Sequence, residues 1–198
     1  MTKIAVFISG YGSNLQAVID AEEAGQLPNV EIALVVSNRR EAFGIKRAIR
    51  SGIPLVYFPL LPYRKSGRPR TEYDTDLAAL VGGFGVEWIV LAGWMHLLSN
   101  AFIRHYPNRI LNLHPALPGA FPGTDAIERA YEAYRRGEID HTGVMVHLVP
   151  DEGVDAGPVV AQAEVSILPD DDLKTLETRI HQTEHHLLPV VIRDLIPG

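Results

Sequence analysis

Three polar residues in this sequence could together carry out acyl-transfer chemistry. Asn112 and His114 flank Leu113 at the end of an apolar run, and Asp155 follows 41 residues after His114 in a turn flanked by glycines. A carboxamide can donate a hydrogen bond to a developing oxyanion. An imidazole can carry a proton near neutral pH, and a carboxylate can fix its tautomer and raise its pKa. If the fold brings them together, these side chains form an acyl-transfer site.

The position of these residues depends on the element that carries them. A strand over Ile110–His114 would place the side chains of Asn112 and His114 on the same face, because side chains alternate along a strand. The pattern by itself leaves a plainer alternative open. Asn-x-His at the end of a strand can also be a turn cap beside a hydrogen-bonded core histidine.

The surrounding sequence alternates apolar runs with helix-like segments. Such alternation implies parallel strand pairing with right-handed crossovers. We therefore predict an α/β fold, an open and mostly parallel Rossmann-like sheet with helices on both faces, formed as a single domain over residues 1–198. The predicted strands are 3–8, 30–37, 53–58, 88–92, 109–113, 144–149 and 159–165, and the predicted helices are 13–24, 42–51, 71–81, 99–105, 125–136 and 171–188.

Composition narrows the classes of function. The formal net charge of −6 argues against a general nucleic-acid binder, but it leaves room for a local basic site that holds a phosphorylated metabolite. Two basic clusters are candidates for such a site, the pair Arg39 and Arg40 and the group Arg64, Lys65, Arg68 and Arg70. The chain has no cysteine, so it has no disulfide, thiolate nucleophile or thiolate metal site.

The sequence carries no recognisable targeting or membrane segment. The apolar run at residues 4–8 is too short for a signal peptide, and no stretch approaches the roughly 18 to 20 apolar residues of a membrane helix. We therefore expect a cytoplasmic protein without a membrane or nucleic-acid partner.

A glycine-rich turn follows the first predicted strand and opens a helix. It reads Ser9-Gly10-Tyr11-Gly12-Ser13-Asn14. Free amides at a helix N-terminus, together with the helix dipole, favour an anion such as a phosphate. The turn lacks the Gly-Lys-Ser/Thr ending of a Walker motif, and Leu15 stands where a dinucleotide fingerprint has its third glycine. A simple capped turn is the alternative interpretation.

Four motifs in this order resemble those of the phosphoribosylglycinamide formyltransferases, the folate-dependent enzymes of purine synthesis. They are ISGYGSNLQ at 8–16, LAGWM at 91–95, LNLHP at 111–115 and DEGVDAGP at 151–158, and the resemblance spans nearly the whole chain. It implies that the amine of glycinamide ribonucleotide attacks the formyl carbon of the co-substrate 10-formyltetrahydrofolate, with no metal required. Asn112 and protonated His114 would stabilise the oxyanion, and Asp155 would support the imidazolium.

The resemblance also implies two binding regions. Gly12, Ser13 and Asn14 would hold the substrate phosphate, and Glu184 would bind the ribose hydroxyls. The folate would lie between residues 95–98 and the loop 150–155, in a monomer or homodimer. The implied folate-binding residues are Arg70, Met95, Leu97, Leu98, Asn112, Asp151 and Asp155.

Some positions depart from the family pattern. His96 stands where the family usually has arginine, Asp125 stands where many members have histidine, and the loop 116–123 is altered. We transfer no role to His96 or Asp125, and we expect His147 to support the site from a neighbouring strand. The histidines at 181, 185 and 186 share a predicted helix and could suggest a metal site. Exposed helical histidines are usually only solvated, so we expect no metal there.

Two other functions remain open from the sequence. A 10-formyltetrahydrofolate hydrolase could use the same three residues with water in place of the amine, although such enzymes generally carry an additional N-terminal regulatory domain. A non-catalytic folate or nucleotide sensor could share the fold, and the intact Asn112, His114 and Asp155 argue against it.

Overall fold

The computed structural model describes residues 1–196 and places seven strands in one sheet. The sheet has the order β3-β2-β1-β4-β5-β6-β7. The first five strands along the chain are parallel, whereas β6 runs antiparallel to β5 and β7 runs antiparallel to β6. The strands are β1 Thr2–Ile8, β2 Val30–Ser37, β3 Leu55–Tyr57, β4 Trp88–Leu91, β5 Ile110–His114, β6 His141–Leu148 and β7 Val159–Ser166.

Helices pack on both faces of this sheet. The strand β1 shows how the two faces are built, because Ile4 and Val6 enter one buried core while Ala5 and Phe7 enter the other. The first core includes residues of α1 and α7, and the second includes residues of α4 and α5. The helices are α1 Ser13–Glu23, α2 Gly44–Arg50, α3 Leu61–Lys65, α4 Arg70–Gly82, α5 Asn100–Ile103, α6 Ala126–Arg135 and α7 Leu173–Leu195.

The predicted α/β sheet is confirmed, and the differences are one missed helix and the ends of several elements. The sequence pattern missed the short helix α3, and it ended the last helix at Leu188, before Pro189. A proline lacks an amide hydrogen and usually stops a helix. Here α7 continues to Leu195 because Pro189, Val191 and Ile192 are buried against the core, so packing outweighs the lost hydrogen bond.

Strand order fixes where the loops meet. The strand β1 pairs with β2 on one side and with β4 on the other. The strand order therefore changes direction at β1, and the switch point lies between β1 and β4. Ligands bind to open α/β sheets at the carboxyl ends of strands near such a switch point. The glycine-rich turn after β1 and the segment 92–99 after β4 both lie there. Within residues 1–196, no helix is both long and apolar enough to cross a membrane.

Candidate functional site

A cavity of about 800 Å³ opens at this edge of the sheet. Its volume is within the range of small-molecule sites. Arg39, from the first basic cluster, is one of the residues that line it. The candidate site residues that line it come from separate parts of the sequence: Asn14, Met95, Leu97, Leu98, Asn112, His114, Asp151, Asp155 and Glu184.

The amide nitrogen of Asn112 has two partners inside the protein. Its Nδ2 lies 3.0 Å from Oδ1 of Asp155 and 3.0 Å from Nε2 of His147. Only the amide nitrogen can face a carboxylate, so Asp155 fixes the orientation of the Asn112 side chain. The two amide hydrogens of Asn112 therefore point toward Asp155 and His147, beside the cavity.

His114 is almost fully buried, and both of its ring nitrogens face acceptors. Nδ1 lies 3.4 Å from Oδ2 of Asp155, and Nε2 lies 3.1 Å from the carbonyl oxygen of Phe121. A neutral imidazole can donate to only one of these oxygens, whereas an imidazolium can donate to both. Burial lowers the pKa of His114 and outweighs Asp155 and the Phe121 carbonyl, which both favour the protonated ring. In the free protein His114 is therefore neutral, although the two oxygens near its ring nitrogens would both accept hydrogen bonds from the protonated ring.

Asp155 joins the cluster from the loop between β6 and β7. Its backbone adopts φ 48°, a left-handed conformation that aspartate tolerates better than most residues. Its Oδ2 accepts a hydrogen bond of 2.8 Å from the amide of Gly123. Burial by itself would raise the pKa of Asp155, but His147 and the Gly123 amide hold that pKa below its usual range. Asp155 is therefore a carboxylate at neutral pH.

The turn that presents the Phe121 carbonyl is held by Arg129 of α6. Phe121 adopts φ 47°, which is unusual for a bulky aromatic residue and implies that neighbouring contacts enforce it. The Arg129 guanidinium donates to the carbonyl of Phe121 at 2.7 Å and to that of Pro122 at 2.6 Å. Arg129 thus fixes the oxygen that faces His114.

At the other end of the cavity, the glycine-rich turn opens α1. Gly12 has φ 73°, and a Cβ there would lie 2.6 Å from the Cα of Gly44, so the position requires glycine. Asn14 donates to Oε2 of Glu184 at 3.0 Å, which ties the turn to α7. A 2.8 Å hydrogen bond to the same oxygen raises the pKa of His181. Gly12 and Ser13 begin α1 beside Asn14 but do not line the cavity.

The side of the cavity after β4 is apolar. Met95 and Leu97 are more than half exposed, and they face the loop that carries Asp151 and Glu152 across the cavity. Glu152 accepts a 2.7 Å hydrogen bond from the amide of Asn100, so the two walls are linked. This wall can receive a flat apolar ligand.

Arg70 and His96 lie next to the apolar side of the cavity. Arg70 does not line the cavity, because its guanidinium is bound to Asp74 and to the carbonyl oxygen of Leu97. Burial, followed by the charges of Arg70, Arg64 and Arg39, lowers the pKa of His96 to about 4. His96 is neutral at physiological pH and does not supply the positive charge of the arginine usual in the family.

Sequence reasoning expected His147 to support the site without naming its partner, and it did not single out Arg129. His147 lies opposite Asn112 in the antiparallel pairing of β5 and β6. The contact between the two side chains follows from that register, and the sequence alone does not give the register of two strands. Arg129 lies in the first turn of α6, where the helix dipole disfavours a cation, and this unfavourable placement was the available signal.

The arrangement has the chemical parts for acyl transfer. A neutral buried histidine, an oriented amide and a carboxylate meet beside a cavity that Asn14 of the glycine-rich turn and the apolar side chains after β4 also line. Within residues 1–196, no group of three or more histidine, cysteine, aspartate or glutamate residues is arranged to hold a metal ion.

Comparisons with known proteins agree along the whole chain. Residues 2–192 match a family described as "Formyl transferase". A phosphoribosylglycinamide formyltransferase of Schizosaccharomyces pombe is 45% identical over 203 residues, which cover 99% of this chain and 98% of that protein. One from Dictyostelium discoideum is 44% identical, with 93% of each chain covered. The crystal structure of glycinamide ribonucleotide transformylase 1 from Geobacillus kaustophilus superposes with a TM-score of 0.91 at 42% identity, covering 100% of both chains.

Proposed function

The chain belongs to the formyl transferase family, and from this premise we propose that it transfers the formyl group of 10-formyltetrahydrofolate to the amine of glycinamide ribonucleotide in purine biosynthesis. The observation that carries the proposal is the meeting of Asn112, His114 and Asp155 at one side of the cavity. Asn14 and Glu184 of the proposed ribonucleotide region and Met95, Leu97 and Leu98 of the proposed folate region line the same cavity as these three side chains, which supports the proposal.

The ribonucleotide occupies the end of the cavity next to α1. Its phosphate binds at Gly12, Ser13 and Asn14, where the first amides of the helix are free to donate. Its ribose hydroxyls bind Glu184, which is oriented by Asn14 and His181. This placement leaves the glycinamide amine directed at the catalytic cluster.

The folate occupies the apolar side. It lies between the segment 95–98 and the loop 150–155, in contact with Met95, Leu97 and Leu98 on one wall and Asp151 on the other. Arg70 contributes through its hold on the Leu97 carbonyl. The formyl group then reaches Asn112 and Asp155.

The reaction needs no covalent enzyme intermediate. The amine nitrogen donates its lone pair to the formyl carbon, and the carbonyl π electrons move onto oxygen to form a tetrahedral oxyanion. Collapse reforms the carbonyl and breaks the bond to N10 of the folate, which leaves with a proton lost by the attacking nitrogen. The enzyme supplies proximity and stabilisation of the oxyanion.

The hydrogen bonds of the free protein explain how this stabilisation can be selective for the transition state. In the free protein the Asn112 amide donates to Asp155 and His147, and the Phe121 carbonyl lies within hydrogen-bonding distance of Nε2 of His114. As negative charge develops on the formyl oxygen, it competes with these internal acceptors. The same charge raises the pKa of His114 and favours its imidazolium. Such stabilisation grows during the reaction and therefore accelerates it.

The experiment that tests the proposal is release of tetrahydrofolate from 10-formyltetrahydrofolate, measured with and without glycinamide ribonucleotide. We expect release only with the ribonucleotide, and loss of release in His114→Ala. His105→Ala is the matched control, because His105 is exposed and outside the cavity. Release without ribonucleotide would support the hydrolase instead, and folate binding without release under either condition would support a sensor.

A further inference from the structure

The buried carboxylate of Asp74 has no part in the reaction described above. Asp74 lies on α4 and is 0% exposed. Removing a carboxylate from water is costly unless it is paired and hydrogen-bonded. Its partners therefore indicate what this buried charge does for the protein.

One partner, Arg70, lies on the same helix, and the other lies on the segment after β4 that forms the apolar wall of the cavity. Oδ2 of Asp74 accepts a 2.9 Å hydrogen bond from Nε of Arg70 and a 3.0 Å hydrogen bond from the amide of Ser99. A terminal nitrogen of Arg70 donates in turn to the carbonyl oxygen of Leu97. The Asp74 and Arg70 pair thus holds two backbone groups, on either side of Leu98.

Other polar atoms of this segment contribute little to its position. The side-chain atoms Nε1 of Trp94, Nδ1 of His96 and Oγ of Ser99 are all buried without a hydrogen-bond partner. Further backbone contacts lie near the ends of the segment, where Met95 donates to Ser9 and Asn100 donates to Glu152. Leu98 is buried in the core, and the polar contacts at the centre of the segment come from Asp74 and Arg70.

We propose that Asp74 is a positioning residue for the folate co-substrate, which acts through Arg70 and the segment 97–99 without touching the ligand. Its ion pair with Arg70 sets the distance between the apolar wall and the loop that carries Asp151. This inference rests on the proposed function, because it assumes that the folate occupies this side of the cavity.

The test compares Asp74→Asn with the wild-type protein. The asparagine oxygen can still accept from Ser99 but no longer carries the charge that pairs with Arg70. We expect the KM for 10-formyltetrahydrofolate to rise about tenfold, which corresponds to about 1.4 kcal/mol, a typical value for a hydrogen bond to a charged group. The KM for glycinamide ribonucleotide and the kcat at saturation stay within about twofold, because the catalytic cluster and the phosphate turn are untouched.

The matched control is Asp76→Asn. Asp76 lies on the same helix, but its carboxylate is exposed and paired with Tyr63 and Arg68. This variant is expected to leave both KM values unchanged. A general loss of helix stability would affect both variants alike and would lower the active fraction without a selective change in the folate KM.

A second variant keeps the inference testable if Asp74→Asn does not fold. Arg70→Gln breaks the same contact to Leu97 from a partly exposed position. It should raise the folate KM to a similar extent, and the double variant should be no worse than either single variant, because both remove one shared interaction. An unchanged folate KM in Arg70→Gln, or effects that add in the double variant, would overturn the inference.

A direct binding measurement separates this inference from the proposed function. The dissociation constant of tetrahydrofolate can be followed by tryptophan fluorescence, because Trp94 lies in the segment concerned. Tight binding to wild type and weaker binding to Asp74→Asn would support the positioning role even if formyl transfer were absent. Equal binding to both proteins would overturn the positioning role while leaving the transferase intact. Failure of the wild-type protein to bind tetrahydrofolate would overturn both.

Discussion

The proposed catalytic cluster and the apolar wall of the same cavity are built in opposite ways. In the cluster of Asn112, His114, His147 and Asp155, the amide nitrogen and all four ring nitrogens lie near an acceptor or donor inside the protein. In the segment 94–99, three buried polar atoms have no partner, and two large apolar side chains are exposed. The first region is organised before substrate arrives, whereas the second exposes apolar surface beside the cavity.

This difference predicts a division of labour between the two regions. The donors of the cluster exchange an internal acceptor for the formyl oxygen only as negative charge develops there, so the cluster should act mainly on kcat. An exposed apolar wall gains free energy when a ligand removes it from water, so the segment should act mainly on folate affinity. The following measurements test that division.

The largest effect is expected for Asn112→Ala. Loss of one oxyanion donor typically lowers kcat by about 10² to 10³ fold. The KM for either substrate should change much less, because the cavity walls keep their shape. Steady-state kinetics with both substrates varied will measure this. Near-wild-type turnover in a folded variant would remove Asn112 from the mechanism and erase the contrast between the regions.

A smaller effect, on the other substrate, is expected for Gly12→Ala. The left-handed backbone there costs an alanine about 1 to 2 kcal/mol, and its Cβ would meet the backbone of Gly44. The displaced turn should raise the KM for glycinamide ribonucleotide by about tenfold or more, since 1.4 kcal/mol is a factor of ten. Urea unfolding measures the lost stability and kinetics the KM. Gly25→Ala is the control, because Gly25 is equally left-handed but open to solvent. A matching rise in KM in that control would assign the effect to general destabilisation.

A still smaller effect is expected for Leu97→Ala on the apolar wall. Its side chain is 58% exposed in the free protein and would be covered by folate. Removing it should weaken tetrahydrofolate binding by about 1 kcal/mol, or about fivefold, with kcat unchanged. Calorimetric titration checks this value. A change confined to kcat would contradict the proposed division of labour.

The smallest effect concerns the protonation of His114. Because burial lowers its pKa, its NMR titration midpoint in the free protein should lie below the ordinary value of about 6.5. The folded state disfavours the protonated ring, so His114 should subtract stability as the pH falls below about 6.5. Asp155→Asn should lower the midpoint further, because the carboxylate favours the imidazolium. A midpoint that rises in Asp155→Asn would show that the carboxylate does not support the ring.

Much of the site was predictable because strands impose a short and regular period. Alternation along β5 placed Asn112 and His114 on one face, and the parallel order of the strands brought the turn after β1 to the same edge as the segment after β4. The surroundings of Arg70 were less predictable. A basic residue near the folate region was expected, but its pairing with Asp74 depends on how α4 packs against the next loop.

The amino-acid sequence by itself determined the alternating elements, the glycine that permits the turn at Gly12, and the candidate residues for acyl transfer. These follow from local preferences and from the chemistry of single side chains. Only the tertiary structure decided that His147 meets Asn112, that the Phe121 carbonyl faces His114, and that α7 continues past Pro189. Those outcomes depend on contacts between residues far apart in the chain, where register and burial outweigh local preference.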